Sequence, residues 1–109
     1  MLIASGKVGK EIDMDLARKC AWQCASNVVD VVKDNLGSLT KVKRVIRLAI
    51  YVASVPEFTE QHLVAHGASS FILEVFGETV GAHIRTAIGV AVLPLDSPVE
   101  VDAIFEFED

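Results

Sequence analysis

Two strand-like runs late in the chain each carry one charged residue near the start of an otherwise apolar stretch. Arg85 sits in His83-Ile84-Arg85-Thr86-Ala87-Ile88-Gly89-Val90-Ala91-Val92-Leu93-Pro94, and Glu100 in Val99-Glu100-Val101-Asp102-Ala103-Ile104-Phe105. A guanidinium keeps its charge and offers only donors, so desolvating it without an acceptor is costly. Arg85 therefore needs a carboxylate, supplied either by the protein or by an acidic ligand. Glu100 is the first protein candidate. As an exposed pair on a sheet edge the two would contribute little. With the Arg left to a ligand, the same residues line a carboxylate-binding pocket. Taken alone, the residues leave both readings open.

Other reactive side chains stand without the partners their chemistry requires. His62 and His66 have the i, i+4 spacing of a helical metal site. No Glu lies between them in the zinc-protease pattern and no third ligand is evident, so surface positions are expected. Cys20 and Cys24 share that spacing on a helix face rich in Ala and Val, and read as small buried hydrophobes. Ser69 and Ser70 have no triad context, so nucleophilic catalysis is not supported. Gly6-Lys7-Val8-Gly9 lacks the spacing of a phosphate loop. Neither a metal nor an organic cofactor is expected.

The elements that must position these residues follow from periodicity. From about Met14 to Leu36, Ala17, Ala21, Cys24, Val28 and Val31/Val32 recur at helical spacing, with Asp13 placed to cap the start and Gly37 the end. Val42 to Val55 alternates as one long strand, with Ile46, Leu48, Ile50 and Val52 on one face, and Pro56 ends it. Thr59 is placed to cap a second helix reaching about Phe76 and closed by Gly77. In the strand after Ile84, one face carries Ile84, Thr86, Ile88, Val90 and Val92. The other carries Arg85 among Ala87, Gly89 and Ala91, small enough for a close approach. The last strand sets Val99, Val101, Ala103, Phe105 and Phe107 against Glu100, Asp102, Ile104 and Glu106. Leu93-Pro94-Leu95-Asp96-Ser97-Pro98 reads as a hairpin connection, which would bring Arg85 and Glu100 to one end and one side of the sheet.

Composition sets the limits. The 109 residues suffice for one domain, and 51% are apolar, which excludes disorder. A net charge of −5 argues against nucleic acid as a general partner. The only basic cluster, Lys41, Lys43, Arg44 and Arg47, reads as a solvated strand entrance. No apolar run is long enough for a membrane span, and no leader motif is visible. Two cysteines in one helix do not make a disulfide scaffold, and a cytoplasmic location is expected.

These motifs together resemble the Rid (YjgF) family, whose members were formerly labelled endoribonuclease L-PSP. The resemblance is carried by Gly81 to Pro94, with Arg85-Thr86 and Leu93-Pro94 in family order and spacing, and by Val99-Glu100-Val101-Asp102-Ala103-Ile104. Gly37-Ser38-Leu39, Val42-Lys43-Arg44-Val45, Phe58-Thr59, His66-Gly67-Ala68-Ser69 and the Phe71 to Gly77 run continue it over essentially the whole chain. The match is nearest to an uncharacterised YjgF-like subgroup. It implies an α+β, chorismate-mutase-like mixed sheet with two helices packed on one face, assembled as a homotrimer with ligand clefts between subunits. It also implies that Arg85, with Thr86 beside it, holds the carboxylate of a small 2-imino or 2-enamino acid. Glu100 would then orient or activate the water that hydrolyses it to a 2-keto acid and ammonia, without metal or cofactor. A non-catalytic trimeric module that binds small carboxylates is the alternative, and ribonuclease activity a weaker third. Family members begin with a β-hairpin bearing a Ser-Gly-Gln segment. Here Leu2 to Gly9 matches the later loop before the first helix, so the domain of residues 1–109 is expected to be N-terminally short. His66 stands where the subgroup tends to have Asn.

Overall fold

The computed structural model describes residues 4–108. Two helices pack on one face of a three-stranded mixed sheet, in the order α1 (Met14–Leu36), β1 (Val42–Ala53), α2 (Gln61–Val80), β2 (Ile84–Val90) and β3 (Val99–Phe107). This is the α+β architecture expected.

Helix α1 begins where the Asp13 carboxylate accepts from the Leu16 N–H at 2.9 Å and ends at Gly37, whose φ of 84° is left-handed. It buries Ala17, Cys20, Ala21, Ala25 and Val29. Helix α2 begins after Glu60, one residue beyond the expected Thr59 cap, and Glu60 makes no side-chain capping bond. It also runs past its expected stop. Gly77 (φ 80°, ψ 174°) breaks the helical geometry, and one more turn carries the chain to Val80. The helices approach closely at Gly67, where a Cβ would lie 2.2 Å from the Arg18 carbonyl oxygen. Trp22 and Phe71 pack edge to face across the same pair, 4.9 Å between ring centres.

β1 is the middle strand. It pairs in parallel with β2 and antiparallel with β3, giving the order β2-β1-β3. The expected hairpin between the last two strands therefore does not form. The linker instead carries the chain across the end of β1 through a 3-10 turn at Pro94–Asp96, where Leu95 and Asp96 both take positive φ. Sequence neighbours usually pair, but β1 alone is apolar enough to be covered on both edges and on the helix face. Two register shifts, between Val42 and Arg44 and between Val45 and Arg47, also break its expected alternation. Val45 thus joins Leu48, Ile50 and Val52 in the core beneath the helices.

The segment before α1 closes the far end of this sheet. The Val8 N–H donates to the Ala53 carbonyl (2.8 Å), Val55 N–H to Val8 (3.1 Å) and Gly6 N–H to Asp96 (2.9 Å). Residues 4–9 thus lead into the first helix while pairing with the end of β1; Leu2 and Ile3 lie outside the described residues. Among the described residues, the opposite sheet face has no layer over it. It carries Arg47, Tyr51, Thr86, Asp102 and exposed isoleucines, Ile84 (69% exposed) and Ile104 (50%) among them. No helix among the described residues is long and apolar enough to cross a membrane.

Candidate functional site

Arg85 sits near the start of edge strand β2, opposite Leu48 of β1. Strand alternation aims it under α2, between the helix and the segment that leads into β2. Its Nη1 donates to His66 Nδ1 at 3.1 Å and to Ser69 Oγ at 3.3 Å. Both acceptors are neutral. Among the described residues no carboxylate pairs with Arg85: the salt bridges are Lys10–Glu11 and Arg44–Glu106, both at the surface. Among the described residues of one chain, Arg85 thus has no carboxylate partner, Glu100 included. Its guanidinium lines a cavity of about 400 Å³ with His66, Ser69, Leu73, Ala82 and His83.

Each wall has a local cause. His66 and Ser69 lie three residues apart on α2, hence on one face of the helix. His83 reaches back to the same face because the chain turns sharply between Gly77 and Gly81. A Cβ at Gly81 would lie 2.5 Å from the Gly77 carbonyl oxygen, so the turn needs glycine there. Ser69 Oγ lies 2.9 Å from His83 Nε2, and His83 Nδ1 lies 2.6 Å from the Gly81 carbonyl oxygen. Ser69 is only 8% exposed. Desolvation, then the Arg85 and Arg18 charges, hold His66 below its ordinary pKa. A neutral His66 is what lets its Nδ1 accept from Arg85, since a protonated ring has no lone pair to offer.

Glu100 is elsewhere. It is the second residue of β3, the other edge strand, opposite Tyr51 of β1. Its neighbours Val99 and Val101 turn into the core, so Glu100 faces away from the helices. Arg85 and Glu100 of one chain thus occupy opposite faces and opposite edges of the sheet, with β1 between them. The hairpin expectation had put them together. Thr86 also faces away from the Arg85 cavity, its hydroxyl accepting from Arg47 Nη2 at 3.1 Å. On the same face Tyr51 donates to Asp102 at 3.0 Å, and that bond and the Asp102 charge push the Tyr51 phenol upward.

The remaining sequence candidates fall as their surroundings dictate. His62 is exposed on α2, and no three His, Cys, Asp or Glu side chains among the described residues cluster to hold a metal. Cys20 is buried and Cys24 half-buried, its Sγ donating to the Val99 carbonyl at 3.4 Å. Burial first, then Cys20 and Glu100, pushes the Cys24 thiol up to about 11. Lys41, Lys43 and Arg44 are exposed at the start of β1. The partner of Ser69 is what sequence reasoning missed. His83 lies 14 residues away, beyond any helical spacing, and only the paired Gly77 and Gly81 signal the turn that joins them.

With this fold and cavity in view, the family can be stated. A model of the Endoribonuclease L-PSP family matches residues 1–106, and the chain belongs to that family. Protein TCP17 of Trypanosoma cruzi is 47% identical over 105 residues, covering 96% of this chain and 66% of its own length. The crystal structure of an Agrobacterium tumefaciens protein of unknown function superposes with a TM-score of 0.95 at 48% identity, covering 97% of this chain and 67% of that one. A presumed endoribonuclease of Shewanella oneidensis gives a TM-score of 0.93 at 26% identity, covering 98% and 70%. The chain thus spans about two thirds of the length of the first two relatives.

Proposed function

We propose that the chain binds small 2-imino or 2-enamino acids by their carboxylate at Arg85 and hydrolyses them to 2-keto acids and ammonia. The carrying observation is the Arg85 guanidinium, half-buried against a cavity, with neutral partners and no carboxylate on it among the described residues. Its Nη1 is taken by His66 and Ser69, which fixes the plane of the fork and leaves the other edge to receive a carboxylate. Holding the acid there positions an already electrophilic carbon for water, and positioning alone can supply much of the rate.

Glu100 and Thr86 enter this reading through a second copy. They share the uncovered sheet face, where Ile84 and Ile104 stand exposed. The surface around the Arg85 cavity belongs to the helix side and the β2 edge. Contact between these two unlike surfaces is heterologous, and such a contact closes into a ring when its rotation allows. A homotrimer of that kind sets Arg85 of one copy towards Glu100 of the next, and Glu100 then orients the water. No metal or cofactor enters the scheme. The opposite faces of Arg85 and Glu100 within one chain favour a second reading, a binding module without turnover.

The test is complementation. Chain added to a dehydratase that releases 2-aminoacrylate should accelerate 2-keto acid formation, and Arg85→Gln and Glu100→Gln should each abolish the acceleration. Mixed and reassembled, the two variants should recover about a quarter of the unsubstituted rate, because random pairing restores that share of intact sites in a ring. No recovery from the mixture rejects the shared site. Stabilisation by 2-oxobutyrate that depends on Arg85, without any turnover, selects the binding module. Cleavage of RNA by repurified chain would revive the ribonuclease reading.

A further inference from the structure

The hydrogen bonds around Ser69 admit one proton arrangement while His83 is neutral. The Gly81 carbonyl can only accept, so His83 Nδ1 donates to it at 2.6 Å and Nε2 keeps a lone pair. Ser69 Oγ donates to that lone pair at 2.9 Å. Arg85 can only donate, so it gives one Nη1 hydrogen to Ser69 Oγ at 3.3 Å and the other to His66 at 3.1 Å. The result is a directed chain, from guanidinium through hydroxyl to an imidazole base, in the wall of the cavity that Arg85 lines. Protonating His83 reverses one link. Nε2 then donates to Ser69, and the Ser69 hydrogen must turn away from it, towards the cavity. A base that becomes a donor at the same spot on taking a proton is what an addition–elimination sequence requires.

We infer that His83, acting through the Ser69 hydroxyl, is the proton-transfer group of the Arg85 cavity, a role that rests on the imine-hydrolysis reading above. Water adds to C2 of the imine, forming the C2–O bond and moving the C=N π pair onto nitrogen. A proton from that water passes through Ser69 to His83 Nε2 and on to the nitrogen, giving the neutral carbinolamine. The remaining hydroxyl proton takes the same route. The C=O bond then forms, the C2–N bond breaks, and ammonia leaves. Imine and water become keto acid and ammonia, His83 returns to its starting state, and no oxidant, reductant or further reactant is needed. Glu100 orients the water; His83 carries its protons. The division is physically sensible, because the Glu100 carboxylate faces away from the cavity within its own chain. The Cys24 thiol cannot substitute, being held protonated up to about 11 and bonded to Val99.

The experiment compares unsubstituted chain, His83→Gln, His83→Ala and Ser69→Ala in the dehydratase-coupled assay, with thermal stabilisation by 2-oxobutyrate measured in parallel. His83→Gln should keep the stabilisation, and Ser69→Ala, with His66 still on the guanidinium, a measurable part of it, which reports a folded cavity with Arg85 in place. Their rates should fall by about 10²-fold or more, the usual contribution of a positioned acid–base group. Added imidazole should restore part of the rate to His83→Ala and none to Ser69→Ala. Should His83→Gln lose ligand stabilisation through misfolding, Ser69→Ala, which removes a single oxygen, decides the matter. An undiminished rate in a variant that still binds 2-oxobutyrate overturns this inference and leaves the imine reading standing. No acceleration by the unsubstituted chain overturns both.

Discussion

Gly67→Ala tests whether the close approach of the two helices is what holds the cavity together. In an open helix the substitution is favourable, since Ala gains about 1 kcal/mol over Gly. Here the new Cβ would lie 2.2 Å from the Arg18 carbonyl oxygen and about 3 Å from its carbonyl carbon and Cα. The obstacle is backbone, so no rotamer change relieves it. Reaching even 3.0 Å requires the helices to part by about 0.8 Å. Overpacking of this kind costs about 1–3 kcal/mol, and a backbone obstacle belongs at the upper end. Subtracting the propensity gain leaves a net loss of about 2 kcal/mol, or roughly 8 °C in Tm for a domain of this size.

The functional consequence follows from the neighbours of Gly67. His66 and Ser69 flank it on α2, and the Arg85–Ser69 contact is already 3.3 Å long. A displacement of about 0.8 Å away from α1 changes both partners of the guanidinium, so stabilisation by 2-oxobutyrate should weaken together with Tm. Calorimetry with and without ligand reads both quantities. A Gly67→Ala chain that melts higher than the parent would refute the argument, because only the helix-propensity term would then be operating.

Two further outcomes concern titrating groups. His66 is held below its usual 6.5, so its contribution to stability is fully present above that value and is lost as pH falls from there towards the lowered pKa. Melting temperature should therefore drop between neutral and mildly acidic pH, and His66→Gln should flatten the drop; an equal slope in the variant would assign it to other groups. The Cys24 thiol, pushed up to about 11, should stay protonated at pH 8 and resist alkylation in the folded chain, as should buried Cys20, also raised by burial. Mass spectrometry after iodoacetamide treatment checks this, with rapid modification of the native protein as the contrary result.

Local signals were legible in the sequence, and partner choice was not. Asp13 and Gly37 mark α1 because capping chemistry depends on adjacent backbone groups. The apolar run of β1 and the two faces of β3 are legible for the same local reason. The strand order is not a local property. Leu93 to Pro98 has the composition of a turn, and a turn it is, yet the strands that it joins lie on either side of β1. The continuous apolarity of β1, buried at Leu48, Ala49, Ile50, Val52 and Ala53, is the mark of a central strand. Weighed against the turn, that run could have given the order. In the site, Arg85 was identifiable from its isolation among apolar residues. Ser69 was passed over because its base arrives through a glycine-dependent reversal, Gly77 to Gly81, that no helical period encodes.

The topology also explains why an arginine can sit where Arg85 does. A parallel β1-α2-β2 unit runs the start of β2 beneath α2, where His66 and Ser69 on the helix face meet the incoming strand. The two side chains are neutral acceptors that partly repay desolvation of the guanidinium without cancelling its charge. A protein carboxylate at this place would bind Arg85 more strongly than any dilute ligand could, and the cavity would have no use for a substrate acid. Keeping Glu100 on the far face and the far edge of the same sheet removes that competitor. Within one chain the separation leaves the two groups apart; in the proposed ring it is the condition for a shared site. On the proposed reading, the guanidinium stays open until an acid arrives, and Glu100 approaches it only from a second copy.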